Sequence, residues 1–233
     1  MSEPLPVVLI PGLLLSAHLY AAQIEALWPQ GTVILANHTR DDSMPALARR
    51  LLAEAPPRFS LVGLSMGGYI SFEILRQAPE RVARVALLDT MARPDTPDVS
   101  AARRAQMQLA THGPFADVVT ALIPRLVHRS RQDDAELARL ILRMSEEVGV
   151  AGYLRQQTAN IGRIDSRPTL KDIRCPALVL VGDSDQLTPP ERAAEIADGI
   201  PGAELVVVPE CGHLSTLERP AAVNAALQAW LTR

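Results

Sequence analysis

Long apolar runs are missing from this chain, and no stretch approaches the roughly 18 residues that a membrane-spanning helix needs. Basic charge is not in excess, since the formal net charge is −3, which argues against nucleic acid as a partner. The first residues lack the basic segment of a secretory signal peptide, and Val7–Ile10 is too short to be its apolar segment. With only two cysteines, Cys175 and Cys211, no disulfide framework is indicated. We therefore expect a cytoplasmic protein without a membrane or nucleic-acid partner.

Sequence signatures of cofactor and metal binding are also missing. Neither G-x-G-x-x-G nor a Walker loop occurs, so a nucleotide cofactor is not indicated. Four of the histidines, His18, His38, His112 and His128, lack the spacing of metal ligands, and we expect them at the surface or in packing. Only His18 follows a loop that could bring it to a pocket. The sequence therefore predicts neither a metal nor a cofactor.

What the chain does contain is an alternation of apolar strands and helical patterns. The predicted strands are Val7–Ile10, Thr32–Ala36, Phe59–Leu64, Arg84–Asp89, Ala177–Val181 and Glu204–Val208. Continuously apolar strands separated by helices are typical of a parallel sheet that is covered by helices on both faces. The predicted fold class is therefore α/β, with about six parallel strands in one sheet.

Residues 91–167 interrupt this alternation, because helical patterns follow one another there without a strand. The clearest is an apolar stripe that begins after Asp133-Asp134 and ends before Gly149, formed by Leu137, Leu140, Ile141, Met144 and Val148. We expect residues 91–167 to form a helical insertion that lies as a cap over the core. The core is expected to comprise residues 1–90 and 168–233.

The segment around Ser65 carries the strongest motif in the chain. A short apolar strand ends at Gly63-Leu64-Ser65-Met66-Gly67, and a helical pattern follows at once. This is G-x-S-x-G between a strand and a helix, where a sharp turn lifts the serine hydroxyl above the edge of the sheet. Glycines two residues before and after the serine fit a bend that leaves no room for a Cβ atom. A plain helix cap is the alternative role for this serine.

Two later loops carry residues that complete this chemistry. Asp183 and Asp185 follow the fifth predicted strand, and His213 follows the sixth. The carboxyl ends of parallel strands line one crevice, so these side chains and Ser65 should share one edge of the sheet. Their order along the chain, Ser then Asp then His, is the order expected of an α/β-hydrolase.

On these three segments the chain resembles the α/β-hydrolase family along nearly its whole length. It is most similar to small bacterial serine esterases, including those that cleave methyl esters of carrier-protein-bound acids. The resemblance implies that Ser65 is the nucleophile and His213 the base. It also implies that Asp185 is the acid, because Gly182, Asp185 and Pro189 match the family pattern of G-x-x-D followed by a proline. Asp183 would then be a turn residue or a cap.

The sequence leaves two points of this resemblance open, the identity of the acid and the support of the oxyanion hole. Some relatives carry the acid at the end of the fourth strand, where this chain has Asp89, although a strand-end aspartate is more often a loop cap. The oxyanion hole needs two backbone N–H groups, which the resemblance assigns to Met66 and Leu13. Relatives have His-Gly before the second donor, whereas this chain has Pro11-Gly12. One supporting hydrogen bond is therefore expected to be missing.

The implied function is hydrolysis of a carboxylic ester or thioester by a serine enzyme. The expected pocket residues of the insertion are Met107, Phe115, Ile123, Met144 and Tyr153, and few aromatic residues suggest an aliphatic acyl group. The insertion carries eleven arginines and nine acidic residues, which either are solvated or meet an acyl carrier protein or coenzyme A. Alternative functions on this fold are a ligand receptor, a hydroxynitrile lyase or a perhydrolase.

Overall fold

The computed structural model describes residues 4–233, which form one parallel sheet wrapped by helices. The six strands are β1 Val7–Ile10, β2 Val33–Leu35, β3 Phe59–Leu64, β4 Val82–Leu88, β5 Ala177–Gly182 and β6 Glu204–Val208. Their order across the sheet is β2-β1-β3-β4-β5-β6, and every pair is parallel. The α/β class and the six-stranded sheet are therefore confirmed.

Nine α-helices occur in the part of the chain that the structure describes. They are α1 Ala21–Leu27, α2 Met44–Glu54, α3 Met66–Gln77, α4 Pro97–His112, α5 Phe115–Leu126, α6 Ala135–Ile161, α7 Pro190–Gly199, α8 Ser215–Glu218 and α9 Pro220–Leu231. Within residues 4–233, none of the helices combines the length and the apolar character that a bilayer crossing requires.

The four inner strands β1, β3, β4 and β5 are buried because each presents apolar side chains to both faces of the sheet. Leu9, Val62 and Leu64 pack into one hydrophobic cluster. Their neighbours Ile10 and Leu61 pack into the other cluster, on the opposite face. Successive strand residues point to opposite faces, so an uninterrupted apolar run fills two cores at once. This is why the strands could be predicted as continuous apolar runs.

Helices α4, α5 and α6 fill the predicted insertion, with no strand between β4 and β5. The apolar stripe of α6 is buried, as Leu137, Ile141 and Met144 show, and the side chain of Asp134 caps its first turn. Gly149 was expected to end this helix. It breaks the helical conformation with φ 69° and ψ 165°, but a second helical segment continues directly to Ile161. The insertion therefore contains more helix than the apolar stripe alone predicted.

Replacing Gly67 by alanine should destabilise the fold by about 3 kcal/mol, the upper range for an overpacked site. A Cβ at Gly67 would lie 2.1 Å from the carbonyl oxygen of Ile10, so strand β1 and helix α3 would have to separate. Gly162→Ala is the matched control, because its Cβ would meet nothing closer than 3.5 Å. Urea unfolding of both variants measures the difference. Equal losses at the two sites would mean that close packing at this turn is not what requires glycine.

Candidate active site

Ser65 occupies the turn between β3 and α3 in a conformation that few residues adopt. Its φ is 55° and its ψ is −113°, outside the regions that a non-glycine residue normally populates. The end of β4 fixes this conformation: the Ser65 N–H donates to Leu88 O at 2.9 Å, and Thr90 Oγ1 donates to Ser65 O at 2.8 Å. Backbone strain of this kind persists only where the surroundings hold it in place, which happens most often at functional sites.

Glycines make the turn at Ser65 geometrically feasible. A Cβ at Gly63 would lie 2.4 Å from Gly67 O, and one at Gly68 would lie 2.4 Å from Thr90 Oγ1. The tight bend and the close approach of α3 to the strands therefore require these residues to have no side chain.

Asp185 and His213 are hydrogen-bonded to each other in the loops that follow β5 and β6. His213 Nδ1 donates to Asp185 Oδ2 across 2.8 Å, and both residues are buried. The other lone pairs of Asp185 accept from the N–H groups of Leu187 and Thr188 at 2.8 and 2.9 Å and from Thr188 Oγ1 at 2.7 Å. Every acceptor position of this carboxylate is thus engaged by a donor, which fixes its orientation toward His213.

The two groups shift each other's pKa in opposite directions. Burial alone would raise the pKa of Asp185, but the positive charge and hydrogen bond of His213, with the Thr188 hydrogen bonds, hold it below its ordinary value. Burial alone would lower the pKa of His213, but the Asp185 carboxylate outweighs it and raises that pKa. An imidazole with a raised pKa next to a fixed carboxylate is a stronger base than a free histidine.

Asp183, the neighbouring candidate, binds backbone rather than the imidazole. Its Oδ2 accepts from Glu210 N at 2.9 Å and its Oδ1 from Cys211 N at 3.1 Å. These contacts tie the loop after β5 to the loop that carries His213. Cys211 itself is fully buried, and burial raises the pKa of its thiol well above the ordinary range.

Asp89 is buried at the end of β4, also without a hydrogen bond to His213 among the described residues. Its Oδ1 accepts from Gly182 N at 3.0 Å, and its Oδ2 accepts from the hydroxyl of Ser215. Burial and the nearby charge of Asp185 raise its pKa to about 8. Asp89 therefore joins the ends of β4 and β5 to helix α8. From the sequence we expected a loop cap or an alternative acid, and this buried junction was not foreseen.

The loop after β1 is supported by two side chains, Gln156 and His38, for which the sequence predicted no such role. Leu14 has a φ of 66°, and its N–H donates to Gln156 Oε1 of helix α6 at 3.1 Å. His38 Nε2 lies 3.0 Å from Gly12 O and 3.1 Å from Gln156 Nε2. Burial lowers the pKa of His38 to about 4, so its ring is neutral at physiological pH. A histidine from the loop after β2 thus contacts the loop in which Pro11-Gly12 departs from the family pattern.

A cleft of about 440 Å³ opens beside Ser65 and His213, and its wall also contains Leu13 and Met66. Asp185 lies behind His213 and does not form part of the wall. The helical insertion contributes apolar side chains from Val99, Ala102, Leu122 and Leu126. This volume is in the range of small-molecule sites, and the expected nucleophile, base and oxyanion donors all border it.

Five residues of the insertion were expected to line the pocket, but none of them lines this cleft, so that prediction is wrong. They are Met107, Phe115, Ile123, Met144 and Tyr153. Three of them, Ile123, Met144 and Tyr153, are buried in the hydrophobic cluster that joins the insertion to the sheet. Phe115 packs against the Tyr153 ring, with 5.4 Å between centroids. An apolar periodicity identifies the face of a helix that packs, and it does not distinguish a packed core from the wall of a cavity.

None of the other histidines joins the cleft wall. His18 lies 3.1 Å from Glu147 at the surface, and His128 accepts from Ser130 N in a turn. Among residues 4–233 no group of three or more His, Cys, Asp or Glu side chains is arranged to hold a metal ion.

Comparison with known proteins places this geometry in a family. A family described as "Alpha/beta hydrolase family" matches residues 7–226. A Klebsiella pneumoniae pimeloyl-[acyl-carrier protein] methyl ester esterase is 28% identical, over 82% of this chain and 76% of that protein. A Mycobacterium tuberculosis protein provisionally named a non-heme bromoperoxidase is 31% identical, over 74% of this chain and 67% of its own length. The solved structure of a thermophilic esterase from Thermogutta terrifontis is 31% identical and superposes with a TM-score of 0.86, covering 100% of this chain and 91% of that one. A match over nearly the whole chain, together with the shared fold, shows that this protein is a member of the alpha/beta hydrolase family.

Proposed function

We propose that the protein hydrolyses a carboxylic ester or thioester of a small or medium acyl group through an acyl-enzyme on Ser65. The observation that carries this proposal is the His213–Asp185 hydrogen bond of 2.8 Å behind a cleft that Ser65 and His213 both border. A serine hydroxyl is a weak nucleophile until a base removes its proton, and an imidazole held by a carboxylate is such a base. Esterases among the family relatives support the same reaction class.

The proposed reaction runs in two halves at the same residues. Ser65 Oγ attacks the carbonyl carbon while His213 Nε2 takes its proton, and the backbone N–H groups of Leu13 and Met66 bind the resulting oxyanion. Collapse expels the alcohol or thiol, which receives the proton from His213, and leaves the acyl group on Ser65. A water molecule then attacks the carbonyl carbon of the acyl-enzyme while His213 takes its proton. Collapse releases the acid and returns the proton to Ser65. Asp185 keeps the proton of the imidazole on Nδ1 throughout.

In this proposal residues 91–167 act as a cap over the core of residues 1–90 and 168–233. Helices α4 and α5 supply part of the cleft wall, so the acyl or alcohol group would be held between cap and core. Apart from Tyr69, the apolar part of the wall is aliphatic, which suits straight acyl chains. Each methylene that fits should add about 0.8 kcal/mol of binding.

A fluorophosphonate probe and a series of esters and thioesters test the proposal. We expect the probe to label Ser65 and the rate to rise with acyl length until the cleft is filled. Supplying each acyl group with and without a carrier-protein headgroup also tests the acyl-carrier substrate that the Klebsiella pneumoniae relative suggests. Steep salt dependence of kcat/KM for the carrier-linked ester alone would identify a carrier as the partner. A protein that neither reacts with the probe nor turns over any ester would contradict the proposal.

The support of the oxyanion loop gives a separate prediction. Gln156→Ala removes the acceptor of the Leu14 N–H, and the adjacent Leu13 N–H then loses its fixed direction. Because an oxyanion contact acts in the transition state, kcat should fall about tenfold or more with little change in KM. Gln157→Ala is the matched control: Gln157 is equally buried but donates to Tyr153 OH instead. A rise in KM without a fall in kcat would assign Gln156 to substrate binding.

A perhydrolase is a second candidate, favoured by the provisional bromoperoxidase name of the Mycobacterium tuberculosis relative. It would use the same acyl-enzyme, with hydrogen peroxide replacing water as the attacking group and a peracid as the product. Peroxide-dependent halogenation of a dye in the presence of a carboxylic acid would detect it. Loss of that signal in Ser65→Ala would tie it to the proposed nucleophile.

A further inference from the structure

The wall of the cleft is strongly positive. Five arginines line it, Arg93, Arg103, Arg125, Arg163 and Arg192, against one carboxylate, Asp95. Charges that line a partly enclosed cleft are less screened than charges on an open surface, so they attract ligands of the opposite sign. Each of these arginines is therefore either paired within the protein or free to interact with solvent or a ligand.

Three of the arginines have partners in the protein. Arg103 and Arg163 contact the two carboxylate oxygens of Asp95 at 2.7 and 2.6 Å, and the Asp95 side chain is almost fully buried. Arg93 forms a bidentate pair with Glu195, with a closest approach of 2.6 Å. The Arg163 guanidinium also lies over the Tyr69 ring, 4.3 Å from its centroid. These three side chains have structural roles, in which they join the segment after β4 to helices α4 and α7 and to the end of the insertion.

The guanidinium groups of the other two arginines, Arg125 and Arg192, have no such partner. Across residues 4–233 neither side chain forms a hydrogen bond or an ion pair. Arg125 lies in the last turn of α5, in the insertion, while Arg192 lies in the first turn of α7, in the core. A positive charge in the first turn of a helix is unfavourable, because that end of the helix dipole is itself positive. Arg192 is therefore placed unfavourably with respect to the helix dipole, at the border of the cleft.

Arg192 is also close in sequence to the proposed catalytic residues. Its N–H donates to Pro189 O at 2.7 Å, directly after Thr188, which hydrogen-bonds Asp185. Leu187, Thr188 and Pro189 all line the same cleft as Ser65. A ligand group bound by Arg192 would thus lie within one small cavity with the reacting carbonyl.

We propose that Arg125 and Arg192 form an anion-binding subsite, and that the preferred ester carries a second, ionised carboxylate a few bonds from the scissile carbonyl. This inference rests on the proposed ester hydrolysis. Arginine binds carboxylates through two parallel hydrogen bonds, which makes both residues suited to the task. Because Arg125 and Arg192 border the same cleft of about 440 Å³ as Ser65, the carboxylate should lie close to the scissile carbonyl, as in a short dicarboxylic half-ester or the ester of a short hydroxy acid.

Matched pairs of substrates test this subsite. Monomethyl glutarate is compared with methyl glutaramate for an anion on the acyl side, and acetoxyacetate with acetoxyacetamide for one on the alcohol side. Charge-assisted hydrogen bonds predict a kcat/KM ratio of carboxylate to amide of roughly 10- to 100-fold for one of the pairs. The ratio should fall toward one in Arg125→Gln combined with Arg192→Gln, and fall with added salt in the wild type. Arg129→Gln, which removes an exposed arginine outside the cleft, should keep the wild-type ratio.

Binding of glutarate, measured by calorimetry, separates the two proposals. Glutarate should bind the wild type at least tenfold more tightly than the double variant, whether or not an ester is turned over. Hydrolysis of neutral esters with no preference for either carboxylate, and equal glutarate binding in the two proteins, would overturn the subsite and leave the esterase proposal intact. Absence of all ester hydrolysis with intact, arginine-dependent glutarate binding would support the subsite and contradict the esterase.

Discussion

Ser65→Ala should lower kcat for any ester substrate by about 10⁴–10⁶-fold, the loss typical of removing a serine nucleophile. The fold should tolerate this change. Among residues 4–233 the Ser65 hydroxyl forms no hydrogen bond, and the contacts that hold the strained turn use the Ser65 backbone. Alanine keeps the same backbone and Cβ, so stability should change by no more than about 0.5 kcal/mol. Ser65→Ala is thus expected to lose activity while keeping its stability.

Initial rates, urea unfolding and fluorophosphonate labelling measure the three quantities. Ser60→Ala is the matched control, because Ser60 is a buried serine in β3, the strand that leads to Ser65, and lies outside the cleft wall. It should keep its labelling and its kcat. Residual turnover in Ser65→Ala within tenfold of the wild type would show that the reaction does not pass through this hydroxyl.

The fold could be predicted because its signals are local. Each strand is a short apolar run bounded by turn residues, and the observed β6 has the predicted limits. The predicted Arg84–Asp89 strand begins two residues earlier, at Val82, and ends at Leu88, because Asp89 turns with a φ of 44°. The glycine-flanked serine was equally visible, since a bend without room for a Cβ restricts the residue types on both sides.

The supports of the site could not be predicted, because they depend on packing between distant segments. His38 and Gln156 meet the loop after β1 from 26 and 142 residues away along the chain. Nothing in the local pattern of either residue differs from that of an ordinary polar position. The lining of the cleft was missed for the same reason: Ile123 and Met144 show apolar periodicity because they pack in the core, whereas the lining Arg125 and Gln106 look like surface residues.

Asp185→Asn should lower kcat by about 10⁴-fold with little loss of stability, and the hydrogen bonds explain why. Asp185 Oδ1 accepts from two backbone N–H groups, of Leu187 and Thr188, so the amide oxygen of asparagine must take that place. The amide NH₂ group then points at His213 Nδ1, 2.8 Å from the former Oδ2. This forces Nδ1 to accept, which moves the ring proton to Nε2, the atom that has to take the proton of Ser65.

The pH profile distinguishes this mechanism from a general disturbance of the loop. His213 must be neutral to act as base, so kcat/KM rises as pH increases through its pKa. Asp185 raises that pKa above its ordinary value of 6.5, which places the acid limb of the wild type above that pH. Without the carboxylate charge the pKa falls, and the acid limb should move to lower pH in Asp185→Asn. Asp183→Asn should leave the limb in place and lower kcat less than about tenfold, since it disturbs hydrogen bonds of about 1 kcal/mol each to backbone and to Ser184, and none to the imidazole.

Asp89→Asn completes the comparison, because Asp89 is a second buried aspartate whose charge acts on His213. Its hydrogen bonds go to Gly182 N and Ser215, so its replacement should mainly reduce stability. A loss of about 10⁴-fold at Asp89, or at Asp183, with a mild effect at Asp185 would assign the acid to a different strand end. The hydrogen-bond directions predict the opposite order, since of the three carboxylates only Asp185 contacts the imidazole.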